Sequence, residues 1–169
     1  YNIKYNSLSE KEKIKLLNKL IKEKNYFVDR IKITNKENKE VWNTFKQISK
    51  TPNECLGAYV ISMTSTASDI LSVYFLQIQA KIKNFLRVVP LFETLDDLKN
   101  ANSVMKNLFK LSWYRKMTSA KQEVMIGYSD SSKDAGKLSA SWHQYKLQEE
   151  LRGLALSLIH ISEPTRLAT

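Results

Sequence analysis

Three charged side chains in the second half of the sequence stand where α/β proteins do chemistry. Glu93 ends the apolar run Arg87-Val88-Val89-Pro90-Leu91-Phe92, Asp130 lies two residues past Val124-Met125-Ile126-Gly127-Tyr128, and Lys133 follows three residues later. Both runs read as strands, and in a parallel sheet the positions just past them fall at the carboxyl edge, where ligand sites assemble. Glu93 and Asp130 are therefore candidates to converge. Two carboxylates within ~4 Å and without a cation would repel by ~4 kcal/mol at an effective dielectric of about 20, equivalent to about three pKa units. A divalent cation removes that conflict. With no thiolate or imidazole nearby in sequence, hard oxygen donors point to Mg²⁺ or Mn²⁺, whose remaining positions go to water and phosphate oxygens. Serines and exposed amides of Tyr128-Ser129-Asp130-Ser131-Ser132-Lys133-Asp134-Ala135-Gly136, with Lys133 as a point charge, would let a phosphate or carboxylate dock beside the metal. On spacing alone two plainer roles stay open: Asp130 as a helix N-cap, and Glu93 as a strand-end acid paired with a lysine.

The elements that must position these residues follow from periodicity. Residues 7 to 23 place Ile14, Leu17 and Ile21 on one helical face, with Ser7 or Ser9 as N-cap, and residues 39 to 49 do the same with Val41, Phe45 and Ile48 before Pro52. Short apolar runs then alternate with helices: a strand at Ala58-Tyr59-Val60-Ile61 and a helix over 66–82; a strand at 87–92, weakened by Pro90, and a helix over 94–109 capped by Thr94 with Asp97; a strand at 124–128 and a helix over 132–151. Strand centres near Val60, Val89 and Ile126 lie 29 and 37 residues apart, the spacing of successive βα units. The expected fold class is α/β and mostly helical, a partial (β/α)₈ barrel of about three βα units. Its segments are a basic helical stretch over 1–50, a βα segment over 51–155, and a tail over 156–169.

Composition narrows the function classes. In 169 residues, 43% hydrophobic and 26% charged, there is enough apolar material for one core, and neither a membrane-length apolar run nor a basic-then-apolar leader pattern is present. A soluble, cytoplasmic protein is expected. A lone Cys55 with His143 and His160 supplies neither a disulfide nor a zinc quartet. The formal charge of +10 is concentrated in residues 1–50, which carry 13 basic and 6 acidic side chains. Lysine outnumbers arginine 22 to 5, whereas a surface built for bidentate nucleic-acid contacts favours arginine. The basic helices accordingly read as solvated faces, with no nucleic-acid or membrane partner. The alternative is a noncatalytic basic helical module that binds nucleic acid or an anionic surface through residues 1–50, and the salt dependence of such binding separates the two.

Long ungapped stretches carry a more specific signal. Residues 86–98 (Leu-Arg-Val-Val-Pro-Leu-Phe-Glu-Thr-Leu-Asp-Asp-Leu), Trp113-Tyr114-Arg115, and residues 122–136 from Gln122 through the Tyr128–Gly136 segment resemble phosphoenolpyruvate carboxylase, as do Ala58 to Met63 and Ser141-Trp142 through Leu151, in the expected order. The resemblance covers roughly residues 1–152 and is weakest in the first fifty. It implies a mostly helical (β/α)₈ enzyme, a homotetramer in its full-length form, joining bicarbonate to phosphoenolpyruvate to give oxaloacetate and phosphate. It further implies that Glu93 and Asp130 hold Mg²⁺ or Mn²⁺ and that Lys133 is catalytic, close to the substrate, with no other cofactor. The metal would neutralise substrate oxygens and stabilise the enolate formed once bicarbonate attacks phosphorus.

The departures are large. The family's catalytic histidine and an important arginine match nothing here, and a glycine-rich motif holding His and Arg is missing after Leu151. The chain accordingly reads as an internal fragment, inactive by itself. Arg115 has no assigned role, and His143 is expected at the surface or in packing. Residues Leu156-Ser157-Leu158-Ile159-His160-Ile161-Ser162-Glu163-Pro164-Thr165-Arg166 resemble the translation of a sequencing-library adapter and are expected to be non-native.

Overall fold

A computed structural model describes residues 4–24, 26–118 and 121–162. The chain is mostly helical with a small three-stranded sheet of order β1-β2-β3, and contacts divide it into two units: residues 1–61 with 66–89, and residues 62–65 with 90–169. The elements are α1 (Glu10–Glu23), α2 (Lys36–Ile48), β1 (Ala58–Ile61), α3 (Ala67–Gln79), β2 (Arg87–Phe92), α4 (Leu95–Phe109), α5 (Ser112–Thr118), β3 (Met125–Ile126), α6 (Tyr128–Ala135) and α7 (Lys137–Ser162).

In the first unit α3 is the centre. Ile70, Leu71, Tyr74 and Ile78 are buried, and α1 contributes Leu17 and Ile21, the spacing that puts both on one helical face. Each such side chain contributes roughly 1.5–3 kcal/mol of apolar burial. From α2, Trp42 and Phe45 are buried, and Phe45 stacks on Tyr59 of β1 with ring centroids 5.1 Å apart. Burial pushes the Tyr59 phenol above its ordinary range. Ser9 is the N-cap of α1: Glu12 accepts from the Ser9 amide at 2.8 Å and its hydroxyl at 2.6 Å, and these two bonds hold the Glu12 carboxyl below the usual glutamate value. Buried glutamine amides tie the chain together. Gln77 accepts from the Leu86 amide at 2.7 Å and donates to the Leu86 carbonyl at 3.1 Å, while Gln79 accepts from the amides of Phe27 and Val28.

In the second unit α4 buries Leu98, Ala101, Val104, Met105 and Leu108, and α7 packs against it with Ala140, Gln144 and Leu147 on its inner face. Thr94 caps α4 as the sequence predicts: its hydroxyl accepts from the Asp97 amide, and the Asp97 carboxylate accepts from the Thr94 amide, both at 3.1 Å. Asp97 is buried and also accepts from the Ser65 hydroxyl at 2.8 Å, fastening the segment after β1 to the start of α4. The helix α5, with buried Tyr114 against Phe109 and Trp113, has no counterpart in the sequence reading.

Two boundaries differ from expectation. The third strand is two residues long rather than five. The Leu91 carbonyl accepts from Thr64 and the Phe92 carbonyl from Gly127, so by strand alternation Pro90 turns its donor-free nitrogen to the β3 side, and the ladder begins only at Leu91. The expected single helix from Ser132 is two helices, α6 beginning already at Tyr128 and α7 at Lys137. Gly136, at φ 77°, separates them in a conformation that glycine adopts without a steric penalty. Of the 156–169 tail, α7 runs on to Ser162, and residues 163–169, with Pro164 and Arg166, lie outside the described residues.

Candidate metal centre

The parallel pairing of β2 with β3 sets Leu91 beside Met125 and Phe92 beside Ile126. One step further along that register Glu93 faces Gly127, whose amide donates to the Phe92 carbonyl at 2.9 Å. The approach is close. A Cβ on Gly127 would lie 3.1 Å from the Glu93 Cα and 3.4 Å from its Cγ, so only glycine leaves the Glu93 backbone where it is. Gly127 is also the N-cap residue of α6, which places Asp130 in the helix's first turn, three residues beyond the point of contact. The two carboxylate residues thus follow neighbouring parallel strands at the same edge.

The plainer roles open to these acids are not the ones they play. Asp130 is not the N-cap, because that position belongs to Gly127. Glu93 is half-buried, and among the described residues it has neither a hydrogen-bond nor an ion-pair partner. Among the described residues Asp130 is held only by Lys133, whose Nζ is 3.7 Å from its Oδ1, with side chains 55% and 80% exposed. Such an exposed pair contributes about 0–1 kcal/mol and yields readily to a stronger partner.

The serines expected to face an anion are used differently. Ser131 is fully buried; its hydroxyl donates to the Gly127 carbonyl and accepts from Gln144 Nε2 at 2.7 Å. The Ser132 hydroxyl donates to the Tyr128 carbonyl at 2.8 Å. Because α6 starts at Tyr128, these hydroxyls reach carbonyls one turn back instead of opening toward a ligand. Ser131 and Gln144 thereby anchor α6 to α7. His143 makes a local bond between Nδ1 and the Ser139 carbonyl at 2.9 Å, in keeping with a packing role.

By donor type the pair fits a hard divalent cation: two carboxylates, one without a partner among the described residues and one beside an exposed lysine. No group of three or more His, Cys, Asp and Glu side chains gathers among the described residues, so a cation here would complete its shell from water and substrate oxygens.

Comparison with known proteins gives the family. The family model described as phosphoenolpyruvate carboxylase matches residues 1–159. The chain belongs to the phosphoenolpyruvate carboxylase family. It is 52% identical over 127 residues to phosphoenolpyruvate carboxylase 3 of Arabidopsis thaliana, covering 72% of this chain and 13% of that protein. It is 55% identical over 119 residues to the phosphoenolpyruvate carboxylase of Acinetobacter baylyi, covering 70% and 13% respectively. It is 46% identical over 162 residues to that of Edwardsiella ictaluri, covering 92% and 18%. The chain therefore spans between about an eighth and a fifth of the length of these carboxylases. The alternative of a noncatalytic basic module is not favoured. Among the described residues no helix is long and apolar enough to cross a membrane.

Two residues at this edge were in view in the sequence without a role. Gly127 and Asp134 both lie in the stretch that resembles the carboxylases, but a glycine's close neighbour and a carboxylate's long-range partner leave no mark in local spacing.

Proposed function

We propose that this chain is the metal-bearing portion of a phosphoenolpyruvate carboxylase, a cytoplasmic homotetramer built on a (β/α)₈ barrel that joins bicarbonate to phosphoenolpyruvate to give oxaloacetate and phosphate. The observation that supports the reading is the β2–β3 register, which brings Glu93 and the helix bearing Asp130 to one strand edge while Glu93 has no hydrogen-bond or ion-pair partner among the described residues. Glu93 and Asp130 would hold Mg²⁺ or Mn²⁺. When bound, the cation supplies positive charge against the substrate's oxygens. Lys133, exposed on α6, would bind the phosphate or carboxylate of the substrate. Buried Ser131 and Gln144 keep α6 from shifting while these groups engage.

Two carboxylates and a lysine do not make the whole reaction, which also needs groups that orient bicarbonate and stabilise developing charge. The 169-residue chain alone should therefore bind metal and form no oxaloacetate. Residues 156–169 are proposed to be non-native, and amplification of the genomic locus checks this: a reading frame intact through Arg166 refutes it.

The test of the metal reading uses Mn²⁺ and its electron paramagnetic resonance. The chain should bind Mn²⁺, and Glu93→Gln and Asp130→Asn should each weaken that binding at least ~10-fold, as loss of a charged hard ligand would. Binding unchanged in either variant removes that residue from the site. In the full-length enzyme the same substitutions should abolish metal-dependent turnover.

A further inference from the structure

Asp134 is an acid in the wrong place for its own helix. It is the penultimate residue of α6, where the helix end carries partial negative charge and a carboxylate is repelled. Its partner lies elsewhere. Asp134 Oδ2 accepts from the backbone amide of Leu95 at 2.8 Å, across 39 residues of sequence. Leu95 is the first residue of α4, so this amide has no acceptor within its own helix, and the same carboxylate that burdens the end of α6 complements the positive start of α4.

The position of this bond matters. Gly127 donates to Phe92 at 2.9 Å, one residue before Glu93; Asp134 accepts from Leu95, two residues after it. On the other side the same two bonds enclose Asp130 and Lys133. The chain from Phe92 to Leu95 and the chain from Gly127 to Asp134 are fastened to each other at both ends, with the two carboxylates between the fastenings. Ser131 and Gln144 anchor α6 to α7, whereas the Asp134 bond ties the far end of α6 directly to the stretch that carries Glu93.

We propose that Asp134 is a positioning residue for the metal centre: by holding the amide of Leu95 it fixes the turn of α6 that carries Asp130 against the turn that carries Glu93. This rests on the metal reading above. Its role is that of an acceptor outside the ligand set, of the kind whose loss weakens metal affinity about 10- to 100-fold.

The bond and the metal are tested separately in the 169-residue chain. Asp134 is exposed, so Asp134→Ala opens no cavity, and far-ultraviolet circular dichroism should be unchanged. Hydrogen exchange of the Leu95 amide, read by nuclear magnetic resonance without metal, should quicken at least ~10-fold in Asp134→Ala and stay within about twofold of the parent in Asp134→Asn, whose amide oxygen still accepts. Mn²⁺ affinity should follow the same order, falling about tenfold in the alanine variant and recovering with asparagine. Unchanged Leu95 exchange in Asp134→Ala overturns the bond. Weakening by asparagine as large as by alanine overturns positioning in favour of bulk charge. If Glu93→Gln and Asp130→Asn lose Mn²⁺ and Asp134→Ala does not, the positioning role alone fails. If the parent chain binds no Mn²⁺, the metal reading fails, while Leu95 exchange still decides whether Asp134 makes the bond.

Discussion

The two ends of strand β2 use polar groups in opposite ways. At its amino end buried backbone groups are matched by side chains. Leu86 has both backbone groups bonded to the buried amide of Gln77, and the Val88 amide donates to the Tyr74 hydroxyl at 3.2 Å. At its carboxyl end stands Glu93, half-buried and without a partner among the described residues. A neutral amide supplies a donor and an acceptor together and so closes both vacancies of one peptide unit, which makes it a structural fitting. A carboxylate has acceptors only, and left unmatched at a strand edge it is suited to a cation. One strand thus has an end whose polar groups are matched and an end that carries an acid proposed to bind the metal.

Breaking the amino end should have the largest effect on stability. Gln77→Ala leaves two buried backbone groups of Leu86 without partners and opens a cavity, and should cost roughly 3–5 kcal/mol in urea unfolding. The protein that remains folded should keep its Mn²⁺ affinity; a loss below about 1 kcal/mol would erase the contrast between the two ends. Gly127→Ala acts on both sides of the comparison. Its Cβ would press on the Glu93 backbone, and should cost about 1–3 kcal/mol in stability along with about tenfold in Mn²⁺ affinity. An intermediate result, stability lost with metal affinity intact, would mean that Glu93 moves without consequence.

Smaller effects sharpen the picture. Lys133→Ala removes an exposed pair, so stability should change by less than about 1 kcal/mol, while Asp130, freed of a competing cation, should bind Mn²⁺ about two- to fivefold more tightly. Weaker binding in that variant would make Lys133 part of the metal's surroundings in a way the exposed pair does not suggest. The smallest effect concerns the start of α1. The Glu12 carboxyl is held below its unfolded-state value by its bonds to Ser9. Its contribution to stability is therefore present above the ordinary glutamate range and is lost as pH falls through the lower folded-state value. Thermal melts from about pH 6 to about pH 3 should show a shallower acid limb in Glu12→Gln than in the parent. Identical limbs would remove the capping box from the acid response.

The amino-acid sequence determined the elements wherever a local rule governs them. Helical spacing gave α1 through Leu17 and Ile21, the Thr94 and Asp97 pair gave the start of α4, and the run Ala58-Tyr59-Val60-Ile61 is β1 residue for residue. It also set Glu93 and Asp130 just past neighbouring strands, since βα connectivity is a matter of order along the chain. Tertiary structure decided the rest. The break at Gly136, the burial of Ser131 and Ser132's bond to Tyr128 depend on where α6 begins, and that is fixed by Gly127 meeting Phe92 across the sheet. Asp134 reads in sequence as one more charge on a helix. Only folding brings it to the amide of Leu95, because a hydrogen bond spanning 39 residues is set by how helices pack and by nothing in the spacing of either one.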